Sequence, residues 1–138
     1  MRIHQAELEI HTRAQGPVDL TERARQVVRE SGIITGLCTV FVRHTSAGLV
    51  IQENADPAVL RDLSSWFGSL APESRKWEHD DEGPDDMPAH ARSVLTRTSE
   101  VIPVRGGELA LGTWQALYLW EHRARAHRRS VVIHVAGE

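Results

Sequence analysis

Residues 100–121, Glu-Val-Ile-Pro-Val-Arg-Gly-Gly-Glu-Leu-Ala-Leu-Gly-Thr-Trp-Gln-Ala-Leu-Tyr-Leu-Trp-Glu, decide the fold class. Glu100–Val104 and Glu108–Leu111 are β-prone runs joined through Arg105-Gly106-Gly107. A glycine pair between two such runs marks a tight hairpin, because both central turn residues need positive φ. Gly112-Thr113 then opens a longer strand, Trp114–Glu121, and a basic turn from His122 to Arg129 leads into a last strand, Val131–Val135. Strands joined this closely pair antiparallel, whereas a doubly wound sheet needs a helix between parallel neighbours.

Working outward, residues 3–12 alternate through Ile3, Leu8 and Ile10 and predict a strand with one wet face, broken at Gly16-Pro17. Asp19 and Glu22 have capping-box spacing ahead of a helix over Leu20 to Glu30, which Ser31-Gly32 should end. Residues 34–43 are apolar on both faces and predict a central strand. The turn His44-Thr45-Ser46-Ala47 precedes a second strand, Gly48 to Gln52. Asn54-Ala55-Asp56-Pro57 places a cap before a helix to about Leu70, with Val59, Leu60, Leu63, Trp66 and Phe67 inward. A short helix follows from about Asp86 to Leu95. The order β-α-β-β-α-α-β-β-β-β predicts an α+β fold, and residues 1–138 suit a single domain.

Composition narrows the functional classes. A net charge of −3 offers no general attraction to nucleic acid or anionic membrane. The lone Cys38 excludes an internal disulfide and a cysteine-rich zinc motif. The chain has no uncharged apolar run of spanning length, and its first residues lack the apolar stretch of a signal peptide, so the expected location is the cytoplasm.

Chemistry concentrates in residues 77–90. Six of the nine residues from Glu78 to Asp86 are acidic, and His79 and His90 stand near the ends. Pro88 suits a first helical turn, so a helix starting near Asp86 would project Asp86 and His90 from one face. Imidazoles and carboxylates that converge make a metal site or an acid/base pair. A solvated acidic loop with Asp86 as a helix cap is the competing reading.

Other candidates carry a plain structural alternative. His44 shares the parity of Cys38, Val40 and Val42 and should leave the sheet on a buried face, as ligand or as hydrogen-bonded core residue. Ser46 lacks the surroundings of a nucleophile elbow. Gln115 shares parity with Leu117 and Leu119, so its amide should be buried against a backbone group or a ligand. Trp114, Tyr118 and Trp120 fall on the other face, as core or subunit interface. Arg123, Arg125, Arg128 and Arg129 read as a solvated turn, with a phosphate site as the alternative.

Three segments together resemble the YjbQ family, whose members are often labelled secondary thiamine-phosphate synthases. They are His44-Thr45-Ser46-Ala47 running on to Gln52-Glu53-Asn54-Ala55-Asp56-Pro57; Glu78-His79-Asp80 through Asp85-Asp86-Met87-Pro88-Ala89-His90; and Ile102-Pro103-Val104 with Gly112-Thr113-Trp114-Gln115 and Glu121-His122. The resemblance implies an antiparallel-rich β-sandwich with about three helices, assembling as a homotrimer with a polar pocket near the subunit interface. It implies weak joining of a pyrimidine diphosphate to a thiazole phosphate with release of pyrophosphate. Carried onto this chain, His44, His79 and His90 would be ligands of a divalent metal, zinc or magnesium. Asp86, His90 and Glu53 would be catalytic, and Gln115, Asn54 and Arg97 would bind a phosphorylated substrate. A metal-dependent hydrolase and a non-catalytic trimeric binding protein are the alternatives. Arg97 stands where similar proteins carry glycine, so it either strains the loop or adds a phosphate-binding cation.

Overall fold

The computed structural model describes residues 1–138 as an α+β domain of eight strands and three helices. In chain order these are β1 (Arg2–His11), β2 (Gly16–Asp19), α1 (Thr21–Ser31), β3 (Thr35–Val42), β4 (Ala47–Glu53), α2 (Pro57–Leu70), α3 (Asp86–Leu95), β5 (Ser99–Arg105), β6 (Glu108–Leu109), β7 (Gln115–Glu121) and β8 (Arg128–Gly137). The strands form a five-stranded sheet, β1-β8-β3-β5-β6, and a three-stranded sheet, β2-β7-β4. Every pair is antiparallel. Gly106 and Gly107 both have positive φ, 62° and 79°, and join β5 to β6 in the hairpin their sequence predicts.

The core lies between the sheets. Cys38, Val40 and Val42 of β3 and Val131, Ile133 and Val135 of β8 face Leu49, Leu117 and Leu119 of the smaller sheet. Period-two alternation supplies these rows, since successive strand residues point to opposite faces. The outward row of the larger sheet is also apolar: Leu37, Phe41 and Val101 are each about half exposed. The two-faced apolar pattern of β3 is therefore real, but its own chain covers only one face.

Several local expectations need correction. Gly16-Pro17 does not simply break the chain. It begins β2, an edge strand on β7, where proline is tolerated because a missing N–H need not serve a second neighbour. Asp19 accepts from Thr21 N at 2.8 Å, but the N-cap is Leu20 and Glu22 pairs with Arg25, so no capping box closes. Gly32 ends α1 in the left-handed region, φ 68°. Asp56 caps α2 by accepting from Ala58 N at 2.9 Å. Of the five apolar residues expected inward on α2, only Phe67 is buried and Trp66 is exposed. Phe67 packs edge-on against Trp120 of β7 and Arg92 of α3 donates to its carbonyl, while much of the rest of the helix stays uncovered.

Candidate metal centre

The loop between α2 and α3 brings His79 and Glu82 back over the first turn of α3. Asp86 and His90 project from one face of that helix, as four-residue spacing requires. His79 Nε2 lies 2.9 Å from Asp86 Oδ2 and 3.3 Å from Glu82 Oε2, and His90 Nε2 lies 3.4 Å from Asp86 Oδ2. One ligand atom from each of these four residues falls within 4.8 Å of the others. Donors at about 2.1 Å from one tetrahedral ion lie roughly 3–4 Å apart, so the spacing suits a shared cation. Two imidazoles with two carboxylates form a hard-to-borderline set.

Asp86 is not the helix cap. That position belongs to Asp85, without a side-chain cap bond, and Asp86 is only 2% exposed inside the first turn. Its Oδ1 accepts from Arg123 Nη1 at 2.9 Å. Arg123 also donates to Asp85 Oδ2 and to the Glu82 carbonyl, each at 2.9 Å, and so ties the loop to the helix start. The hydrogen bond to Asp86 holds the His79 imidazole above its usual pKa, with burial opposing and Glu82 reinforcing it. The Arg123 guanidinium holds Asp85 below the usual carboxylate range.

The basic turn is thus not simply solvated. Arg129 and His122 are buried as well as Arg123 being mostly covered, while Arg125 and Arg128 are exposed as expected. Arg129 Nε donates to the fully buried Glu121 at 2.8 Å, and its Nη2 reaches the other carboxylate oxygen. Burial alone would push Glu121 up, but hydrogen bonds from Arg129 and Thr12 outweigh it and leave the carboxyl low. His122 Nε2 donates to Thr96 Oγ1 at 3.1 Å, because that hydroxyl spends its own proton on main-chain carbonyls of α3. Its Nδ1 is buried without a partner, and burial drives its pKa down to about 3.

His44 does not join the four. Its Nε2 accepts from Ser130 N at 2.7 Å, and its ring lines a cavity of about 550 Å³ that His90 also borders. Burial, then the nearby Arg129 charge, lowers its pKa. Ser46 supplies its carbonyl to His122 N and Arg129. Glu82 was missed by sequence reasoning, since one acid within an irregular acidic loop has no periodicity to single it out.

Glu53, Asn54, Gln115 and Arg97 lie elsewhere in this chain. Ser93 Oγ donates to Ala47 O at 3.2 Å, anchoring α3 beside the start of β4. Glu53 sits six residues on, roughly 20 Å along an extended strand. There Glu53 pairs in register with Gln115, and Asn54 Nδ2 donates to Thr113 O at 3.1 Å. The Gln115 amide is exposed rather than buried, because it begins β7 beyond the core, and its Oε1 accepts from Gly112 N at 2.8 Å. Arg97 has an ordinary negative φ, so no strain attends the absence of glycine. Its backbone bridges to Leu49, and its side chain lines a groove with Trp66, Glu100 and Gln115.

The sequence profile described as "UPF0047 protein YjbQ-like" matches residues 6–138. The chain is 56% identical over 138 residues to UPF0047 protein sll1880 of Synechocystis sp., covering 99% of this chain and 94% of that one. It is 43% identical over 104 residues to UPF0047 protein YjbQ of Salmonella typhimurium, covering 75% of each. Among solved structures, a YbjQ-like protein of unknown function from Sulfolobus solfataricus superposes with a TM-score of 0.88 at 28% identity over 99% of both chains. A YjbQ/UPF0047 protein from Clostridium acetobutylicum superposes with a TM-score of 0.88 at 32% identity, over 95% of this chain and 99% of that one. The chain belongs to the UPF0047 family of YjbQ-like proteins.

Proposed function

We propose that the protein is a small-molecule enzyme whose centre is a divalent-metal site formed by His79, Glu82, Asp86 and His90. The observation that carries this reading is the convergence of two imidazoles and two carboxylates within 4.8 Å, with the key carboxylate buried and oriented by Arg123. A zinc or magnesium ion bound between them would give all four residues a common partner. Such an ion supplies charge neutralisation to a phosphoryl group. The chain's residues orient Asp86 through Arg123 and offer His79 and His90 as proton carriers or ligands.

The reaction proposed first is the family-type joining of a pyrimidine diphosphate to a thiazole phosphate, with release of pyrophosphate. Metal-dependent hydrolysis is the second reading, favoured by the three or more ligands a hydrolytic centre requires. Purified protein should form thiamine phosphate from the two precursors when zinc or magnesium is added, and should lose that activity when the metal is removed. Turnover of a generic phosphate ester in place of product formation would favour the hydrolase, and tight ligand binding without either would favour a binding protein.

We further propose assembly as a homotrimer. The uncovered row of Leu37, Phe41 and Val101 and the half-covered α2 support it, since contiguous exposed apolar surface marks an interaction site. Light scattering should report about three times 15.4 kDa, and the monomer mass would remove the interface from the site.

A further inference from the structure

The end of β3 shows a substitution of side chain for backbone. The β3–β8 ladder ends at the pair Val42 and Val131. The next exchange is half main chain and half side chain: Arg43 N donates to Ser130 O at 3.1 Å, and Ser130 N donates to His44 Nε2 at 2.7 Å. A ring nitrogen that accepts from a peptide N–H carries no proton. The neutral His44 ring must therefore hold its proton on Nδ1.

Nδ1 has no hydrogen-bond partner in the chain, and it is not among the buried unpartnered atoms. It is therefore accessible to solvent, on a ring that lines a cavity of about 550 Å³. None of the nine residues lining that cavity is acidic. Its polar lining includes Arg43, His44, Thr45, Thr98 and, at the edge of the metal centre, His90. Arg43 is shared with Glu7, to which it donates at 2.9 Å, so it cannot serve as a free counter-charge. The cavity thus offers one N–H donor on a ring held in place by Ser130, with threonine hydroxyls around it, beside a centre that is rich in carboxylate.

We infer that this cavity is an oxyanion subsite of the His79–Glu82–Asp86–His90 centre, in which His44 is a neutral Nδ1–H donor to the bound oxygen and not a metal ligand. The inference rests on the reading of that centre as a metal site. Metal binding through Nδ1 would force a proton onto Nε2, against the Ser130 N–H. A neutral imidazole gives up its ring proton only at strongly basic pH, so His44 positions and polarises an oxygen without transferring a proton. It is a ligand-binding residue. The ligand class is a small metabolite that presents a phosphoryl or carboxylate oxygen.

The test is nitrogen-15 NMR of histidine-labelled whole protein, with zinc, inorganic phosphate and acetate as probes. The long-range proton–nitrogen pattern should show His44 neutral and protonated on Nδ1 at pH 7.5. Zinc should move the His79 and His90 signals in the manner of ligands and leave the His44 pattern intact. Phosphate added to the zinc-loaded protein should shift the His44 Nδ1 proton. A shift with phosphate alone identifies a phosphoryl subsite, a shift with both anions a general oxyanion subsite, and a shift with neither overturns the inference. An Nε2-protonated His44, or one that responds to zinc as His79 does, also overturns it while leaving the metal centre standing. Unmoved His79 and His90 would instead refute the metal centre, and phosphate added to metal-free protein would then decide the subsite alone. His44→Gln keeps an acceptor and a donor and should retain phosphate binding, whereas His44→Leu should weaken it about tenfold or more with zinc affinity unchanged.

Discussion

Arg123 Nη1 stands 2.9 Å from Asp86 Oδ1, so a cation from a turn near the C-terminus holds one oxygen of a carboxylate at the start of α3. The other oxygen, Oδ2, is the one that faces His79 and His90. The sequence separates these residues widely, yet the geometry makes Arg123 the group that aims Asp86.

Replacing Arg123 with leucine should therefore weaken divalent-metal binding by about 10–100-fold, the usual effect of losing a ligand's orienting partner. Arg123→Lys keeps a charge without the fork and should fall between the two. Calorimetric zinc titration of the three proteins measures this, and equal affinities would show that Asp86 needs no orientation from Arg123.

Arg129→Met should destabilise the fold by about 3–5 kcal/mol, because it leaves the Glu121 carboxylate buried without its cation. Adding Glu121→Met to that variant should recover much of the loss. Urea unfolding checks both, and a cost below about 1 kcal/mol for Arg129→Met would mean that the pair behaves as a surface ion pair.

Acid should unfold the protein through His122. Burial depresses its folded pKa to about 3, whereas the unfolded ring titrates near the ordinary imidazole value of 6.5. Between those values the unfolded state binds a proton that the native state refuses, so stability falls as pH drops through that window. The slope for this one group is about 1.4 kcal/mol per pH unit. Urea midpoints at pH 7 and pH 4.5 should separate accordingly, and His122→Leu should flatten the dependence even if it lowers stability at pH 7. An unchanged slope in that variant would place the acid sensitivity elsewhere.

Gly48 allows α3 to close on β4. A Cβ added there would meet Thr96 Oγ1 at 1.9 Å. Gly48→Ala must displace the same hydroxyl that accepts from His122, and it should cost roughly 1–3 kcal/mol in overpacking. A thermal melt within a degree of the parent would show that the end of α3 has room to move.

Hairpins, helix ends and the Asp86–His90 face were legible because each rests on local chemistry: glycine pairs at positive φ, a prolyl first turn, and four-residue helical spacing. The α+β class followed from those elements. Distant partnerships left no such trace. Nothing near His122 announces that its turn folds inward to neutralise Asp85, Asp86 and Glu121, since a run of arginines has the same composition whether it is solvated or buried. Gln115 was misread because strand parity gives a side but not a depth, and the end of β7 lies past the core. Glu82 belongs to an acidic loop in which only the three-dimensional path selects one carboxylate. His44 joined His79 and His90 by residue type, whereas its bond to Ser130 places it in an adjoining cavity.

The most direct test is zinc titration of the purified protein by calorimetry, alongside His90→Asn, Asp86→Asn and His127→Asn. The parent should bind one ion per chain, and His90→Asn and Asp86→Asn should each weaken binding at least a hundredfold while keeping the parent's circular dichroism. His127→Asn, in the basic turn and outside the four-residue group, should bind as the parent does. A parent protein that binds no zinc or magnesium saturably, or a His90→Asn protein that binds as tightly as the parent, would contradict the metal centre at the start of α3.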